Sequence, residues 1–174
     1  MERKELRKYI RERFKSMGYQ SYKSYQYKVL DDDYLIGFDL YPSTYTKGYY
    51  FDCGVIYLPD EYKIPLRGLY DYGNRFIFPN PPEIPFDIEK CKESRSFTTT
   101  FRYEEHTLEQ LDEWFHQNYK YYMIPLLDKE YALERFRKDL RLMNAFKPKT
   151  IDKLCKRAGM NTQEVLRILG KTDC

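Results

Sequence analysis

Tyr34-Leu-Ile-Gly-Phe-Asp-Leu-Tyr-Pro-Ser43 and Gly48-Tyr-Tyr-Phe-Asp-Cys-Gly-Val-Ile-Tyr-Leu-Pro59 are two runs of aromatic and β-branched residues, each ending at a proline. Such residues suit a pleated surface, and proline cannot donate to a strand ladder. Ile36, Phe38 and Leu40 alternate in the first run; Phe51, Cys53, Val55 and Tyr57 alternate in the second. A period of two predicts half-buried strands. The polar link at 43–47 is short, so the pair reads as an antiparallel hairpin. Gly37 and Gly54 fall inside these strands, where glycine marks a bulge or a close approach.

Outward from the hairpin, the pattern is mixed. Leu6, Ile10, Phe14 and Met17 recur at helical spacing, and Gly18 closes a first helix over 3–17. Residues 19–30 read as one strand, with Tyr25, Tyr27 and Val29 alternating. Asp31, Asp32 and Asp33 follow as a charged turn; their adjacent spacing is not that of a calcium loop. Arg75–Phe78 reads as a short strand, the proline-rich 79–85 as an extended loop, and 96–103 as a further strand. Thr107 with Gln110 forms a capping box for a helix whose stripe is Leu108, Leu111, Phe115, Tyr119 and Tyr122. Pro125 ends it. Asp128 caps another helix over 129–145, and Pro148 stops that one.

These elements predict an α+β fold: an antiparallel sheet of four or five strands, an N-terminal helix and a C-terminal helical layer. The expected division is a core domain, 1–145, and a helical hairpin appendage, 146–174. The helix ending Met17-Gly-Tyr19, the hairpin, Leu40-Tyr-Pro-Ser43 and Tyr49-Tyr-Phe-Asp-Cys-Gly54 together resemble a bacterial family catalogued as domain of unknown function 4304, over about residues 1–145. That resemblance implies an α+β fold and a bacterial source, and it brings no activity or catalytic residue.

Composition narrows the class. Charged residues make up 33% of the chain and hydrophobic residues 42%, a globular mixture. No apolar run approaches the roughly 20 residues of a membrane span. The opening Met-Glu-Arg-Lys-Glu lacks an apolar signal core, so a cytoplasmic location is expected. Cys53, Cys91, Cys155 and Cys174 are scattered, and only His106 and His116 accompany them, so neither structural zinc nor another cofactor is expected.

Charge is unevenly spread. Residues 1–30 carry nine Lys/Arg against three acids, 31–134 carry ten against twenty, and 135–174 carry eleven against four. Basic ends flank an acidic middle. Two readings stay open: self-complementarity within the fold, or a polyanion-binding surface.

Three functions compete. The first is a non-enzymatic binding module with a protein partner, suggested by nineteen tyrosines, each a flat apolar body with a polar tip. No nucleophile motif surrounds His106 or His116, so neither is expected to be catalytic. The second is a DNA-binding protein. Ala158-Gly-Met-Asn-Thr-Gln-Glu-Val-Leu-Arg-Ile-Leu169 resembles the turn and second helix of lactose-repressor-type helix-turn-helix units. On that resemblance Thr162, Gln163 and Arg167 face the major groove, and Lys147, Lys149, Lys153, Lys156 and Arg157 hold phosphates. Leu166 departs from the pattern, standing where a small polar residue suits a phosphate. The third is a metal-dependent nuclease using Asp52, Glu61 and Lys63, in the manner of restriction-type cores.

Overall fold

The computed structural model describes residues 1–31, 33–57 and 70–171, and these form two compact units, Met1–Leu127 and Asp128–Cys174. The division therefore falls at 127/128 and not at 145/146, because the helix that begins at 129 makes its main helix contacts with the C-terminal helices.

The first unit is a meander. Strands β1 (Gln20–Tyr22), β2 (Tyr25–Asp31), β3 (Tyr34–Pro42), β4 (Tyr49–Tyr57) and β5 (Tyr72–Arg75) pair in chain order, all antiparallel. In the central hairpin Ile36 faces Val55, Phe38 faces Cys53 and Leu40 faces Phe51, so both alternating sets fall on one side. On that side Phe38 packs within 4.5 Å, centroid to centroid, of Phe14 from α1 (Arg3–Ser16). It also meets Phe51 at 5.6 Å and Phe76 at 5.4 Å. Phe115 of α3 (Leu108–Asn118) joins at 5.4 Å from Phe14. Burying rings in this way stabilises the fold through area and through edge-to-face contacts.

Several elements depart from expectation. The strand expected over Arg75–Phe78 is broken: β5 ends at Arg75, the next short strand begins at Phe78, and Phe76 and Ile77 belong to neither. The single strand over 19–30 is a tight hairpin, because Lys23 turns the chain at a φ of 57°. The strand expected over 96–103 is reduced to β7 (Phe97–Thr98), which pairs with β6 (Phe78–Pro79), and one bridge between Tyr49 and Phe101. Pro79 cannot donate, so this ladder stays short. A short helix, α2 (Ile88–Ser94), follows Asp87, whose carboxylate accepts the Glu89 and Lys90 amides, both at 3.1 Å. The sequence pattern predicts no helix there.

The predicted capping box of α3 forms, with Thr107 and Gln110 bonding reciprocally at 3.0 and 3.2 Å. α3 continues as a π-helical turn, Tyr119–Met123. At their junction the Asn118 amide is fully buried and acts as a backbone substitute. It accepts from the Ile77 amide at 2.9 Å and donates to the Ile77 carbonyl at 2.7 Å. Neither group is left unsatisfied by the missing strand pairing.

Gly37 and Gly54 are direct cross-strand partners in unbroken register, so they mark close approach and not bulges. A Cβ on Gly37 would lie 2.7 Å from the Tyr25 ring, and one on Gly54 2.6 Å from Tyr70 Cβ. The two rings lie over the sheet's second face, where Tyr25, Leu35 and Ile56 form a small cluster with Tyr27 and Tyr70.

The second unit contains α4 (Lys129–Lys138), α5 (Pro148–Ala158) and α6 (Thr162–Ile168). The helix expected to reach 145 stops at 138. Asp139 leaves the helical region and its carboxylate accepts the Arg141 amide at 3.1 Å, opening a 3-10 turn, Leu140–Met143. No helix among the described residues is long and apolar enough to cross a membrane.

Candidate nucleic-acid interface

α5 buries Ile151, Leu154, Cys155 and Ala158, a stripe at helical spacing. Gly159 then takes a φ of 64°, a left-handed position that glycine adopts without a steric penalty. The Met160 amide closes the end by donating to the Cys155 carbonyl at 2.9 Å. Asn161 restarts the chain as an N-cap, its side-chain oxygen accepting the Glu164 amide at 3.0 Å. Helix, three-residue turn, helix is the arrangement the sequence resembles, and α4 supplies a third helix. Arg137 from α4 donates to the Ala158 carbonyl at 2.9 Å, capping the C-terminus of α5.

On α6 the side chains divide cleanly. Val165 and Leu166 are buried; Gln163, Glu164, Arg167 and Ile168 are exposed. Gln163 and Arg167 lie one turn apart and so share a face. Thr162 does not join them. Its hydroxyl donates to Asp152 on α5 at 3.0 Å. The other oxygen of Asp152 accepts from Lys156 at 2.6 Å, and both interactions hold the carboxylate below its ordinary range, Lys156 having the larger effect. Asp152 thus braces the two helices, a role its place in the sequence did not disclose. Only its i,i+4 spacing to Lys156 was visible there.

The five cations expected to hold phosphates are not equivalent. Lys147 and Lys149 are exposed at the start of α5, Lys156 is exposed but tied to Asp152, and Lys153 and Arg157 are half-buried. Leu166 is in the helix core of this unit, which accounts for its departure from the repressor pattern.

The other candidates separate from this set. His106 is buried between rings, 5.0 Å from Trp114 and 5.2 Å from Phe101, and burial pushes its pKa down. His116 is exposed on α3. Of the nuclease trio, Glu61 and Lys63 lie outside the described residues. Both oxygens of Asp52 are taken by the Arg75 guanidinium, at 2.5 and 3.0 Å. Among the described residues no cluster of His, Cys, Asp and Glu forms a metal site. Asp31 ends β2 and Asp33 lies in the turn just before β3, while Asp32 lies outside the described residues.

No protein-family model, no curated protein and no solved structure matches the chain.

Proposed function

We propose that the chain is a non-enzymatic binding protein whose C-terminal three-helix unit docks on duplex DNA. The observation that carries this reading is the exposure of Gln163 and Arg167 together on one face of α6, behind a glycine turn and an asparagine cap. Glutamine pairs with adenine and arginine with guanine in the major groove, each good pair being worth about 1–3 kcal/mol of discrimination. Lys147 and Lys149 are free to meet phosphates from the start of α5. A reducing, cytoplasmic setting fits the three described cysteines, Cys53, Cys91 and Cys155, which are all buried free thiols.

The test is fluorescence anisotropy on a generic duplex across a salt series, with Gln163→Ala/Arg167→Ala beside the parent chain. Salt-sensitive binding, weakened about tenfold or more in the variant, supports the reading. Equal binding by both chains, or none at low salt, overturns it. A protein-partner reading rests on a different observation: Tyr41 is 58% exposed and Tyr45 90% exposed at the end of the β3–β4 hairpin. Aromatic side chains displayed in this way are enriched at protein interfaces.

A further inference from the structure

An open groove of about 970 Å³ runs along α1 in the first unit. Arg3, Lys4, Arg7 and Arg11 line one wall, and Tyr103 contributes to the other. Arg3, Arg7 and Arg11 repeat every fourth residue, so they form a row oblique to the helix axis with a rise of about 6 Å between neighbours.

Three observations separate this row from an ordinary solvated face. First, four cations without a counter-ion are gathered in one groove. Among the described residues Arg3, Lys4, Arg7 and Arg11 meet no carboxylate within 4 Å. Other lysines and arginines, such as Lys120 and Lys149, also lack one, but they do not line this groove. The acids that line the groove are otherwise engaged: Glu2 in the capping box of α1, Glu12 with Lys8 at 3.9 Å, and Glu104 with Lys47 at 3.3 Å.

Second, the row opposes local helix energetics. Like charges four residues apart repel, by a few tenths of a kcal/mol per pair. Arg3 and Lys4 also occupy the first turn, where the helix dipole disfavours cations. Third, two of the guanidinium groups are held in place. Arg3 and Arg7 both sit over the Tyr49 ring, at 5.6 and 5.7 Å, and Arg3 Nε donates to the Tyr49 hydroxyl. That anchor uses one of Arg3's five N–H donors and leaves the rest for a ligand.

An uncompensated, pre-positioned row of cations with a tyrosine beside it suits a chain of phosphates. We propose that the α1 groove binds a single strand of nucleic acid, with the phosphates following Arg3, Arg7 and Arg11 and a base resting on Tyr103. A charged groove that tracks the backbone, with an aromatic ring for a base, is the general means of holding single strands. This site is independent of the duplex reading of α6, since it lies wholly within residues 1–127.

The experiment uses the full chain and a labelled oligothymidine of about 12 nucleotides, within the range such grooves hold. Anisotropy is followed across a salt series. The parent chain should bind, and Arg7→Ala/Arg11→Ala should bind about tenfold or more weakly. The slope of log affinity on log salt should become shallower by about 1.4, or 0.7 for each lost phosphate contact. Arg11→Glu, which removes no intramolecular partner among the described residues, should also weaken binding and guards against a folding defect. Gln163→Ala/Arg167→Ala should bind the single strand unchanged, which separates this site from the α6 surface. Absence of salt-sensitive binding, or unchanged affinity in both α1 variants, overturns the proposal. Equal displacement of the oligonucleotide by polyglutamate also overturns it, because the groove would then fit an acidic protein segment instead.

Discussion

The two units of this chain are built from different materials. Residues 1–127 are held by rings: Phe14, Phe38, Phe51, Phe76 and Phe115 meet one another across a sheet and two helices. In residues 128–171 aromatic contacts are few, and short helices are aligned by caps and polar ties such as Asn161, Asp152 and Arg137. The difference follows from helix length. A seven-residue helix such as α6 cannot sustain itself by propagation. It depends on the groups that satisfy its ends. A sheet joined by short loops instead needs one large apolar face, and aromatic residues cover that face with few side chains. Stability in the first unit is therefore concentrated at the centre of a packed layer, whereas in the second it lies at helix ends.

The contrast is tested most severely at Phe38. This ring is fully buried and touches α1, β4 and α3 together. Phe38→Ala should cost about 3–5 kcal/mol, the range for deleting a core phenylalanine. Trp114, the single tryptophan, lies in the first unit beside Phe78 and Phe101 and reports its unfolding. Urea titration by tryptophan emission measures the loss. A cost below about 1 kcal/mol, typical of tolerant surface sites, would mean that the aromatic layer is not what holds the sheet.

Gly54→Ala is the next largest effect. Its new methyl carbon would meet Tyr70 Cβ at 2.6 Å and the Tyr72 carbonyl oxygen at 2.5 Å. Backbone cannot swing aside as a side-chain tip can, so overpacking should cost about 1–3 kcal/mol by the same assay. A neutral result would mean that Tyr70 does not lie over this strand.

The sheet was more legible in the sequence than the candidate interface was. Alternation at Ile36, Phe38, Leu40 and at Phe51, Cys53, Val55 specified the central pairing, because strand periodicity is local. Gly18, Gly159 and the Thr107–Gln110 box likewise announced helix ends through nearest neighbours. What escaped was decided where no residue type in the pattern announces the geometry. Lys23 turns 19–30 into a hairpin although nothing in Tyr-Lys-Ser requires a positive φ. Asp152 reaches ten residues forward to Thr162, so a residue expected to face DNA is turned inward. The row on α1 was visible as charge, but its lack of counter-ions depends on where Glu2, Glu12 and Glu104 are engaged.

In the second unit the corresponding test is a cap. Asn161→Ala removes the oxygen that receives the Glu164 amide and should cost about 1 kcal/mol, within the 0.5–2 range for such losses. Hydrogen exchange of the α6 amides is the appropriate measurement, since a single tryptophan in the other unit does not report on it. Exchange protection that survives the substitution would show α6 to be held by Val165 and Leu166 alone.

The smallest effect is the dependence of the first unit on pH. His106 packs edge-on to Trp114 and tilted against Phe101, its Nδ1 has no hydrogen-bond partner among the described residues, and burial lowers its pKa from the ordinary 6.5. The folded state therefore favours the neutral ring, while the unfolded chain takes up a proton below about 6.5. A group whose folded pKa is depressed lends its full contribution above the unfolded value. That contribution is lost as pH falls towards the folded value. Urea midpoints read from tryptophan emission should thus decline between about pH 7 and 5, above the range in which carboxylates take up protons. His106→Leu should flatten that decline while keeping most of the apolar contact. If the slope persists in the variant, the acid sensitivity of the first unit arises elsewhere, and the ring of His106 is only one more member of the aromatic layer.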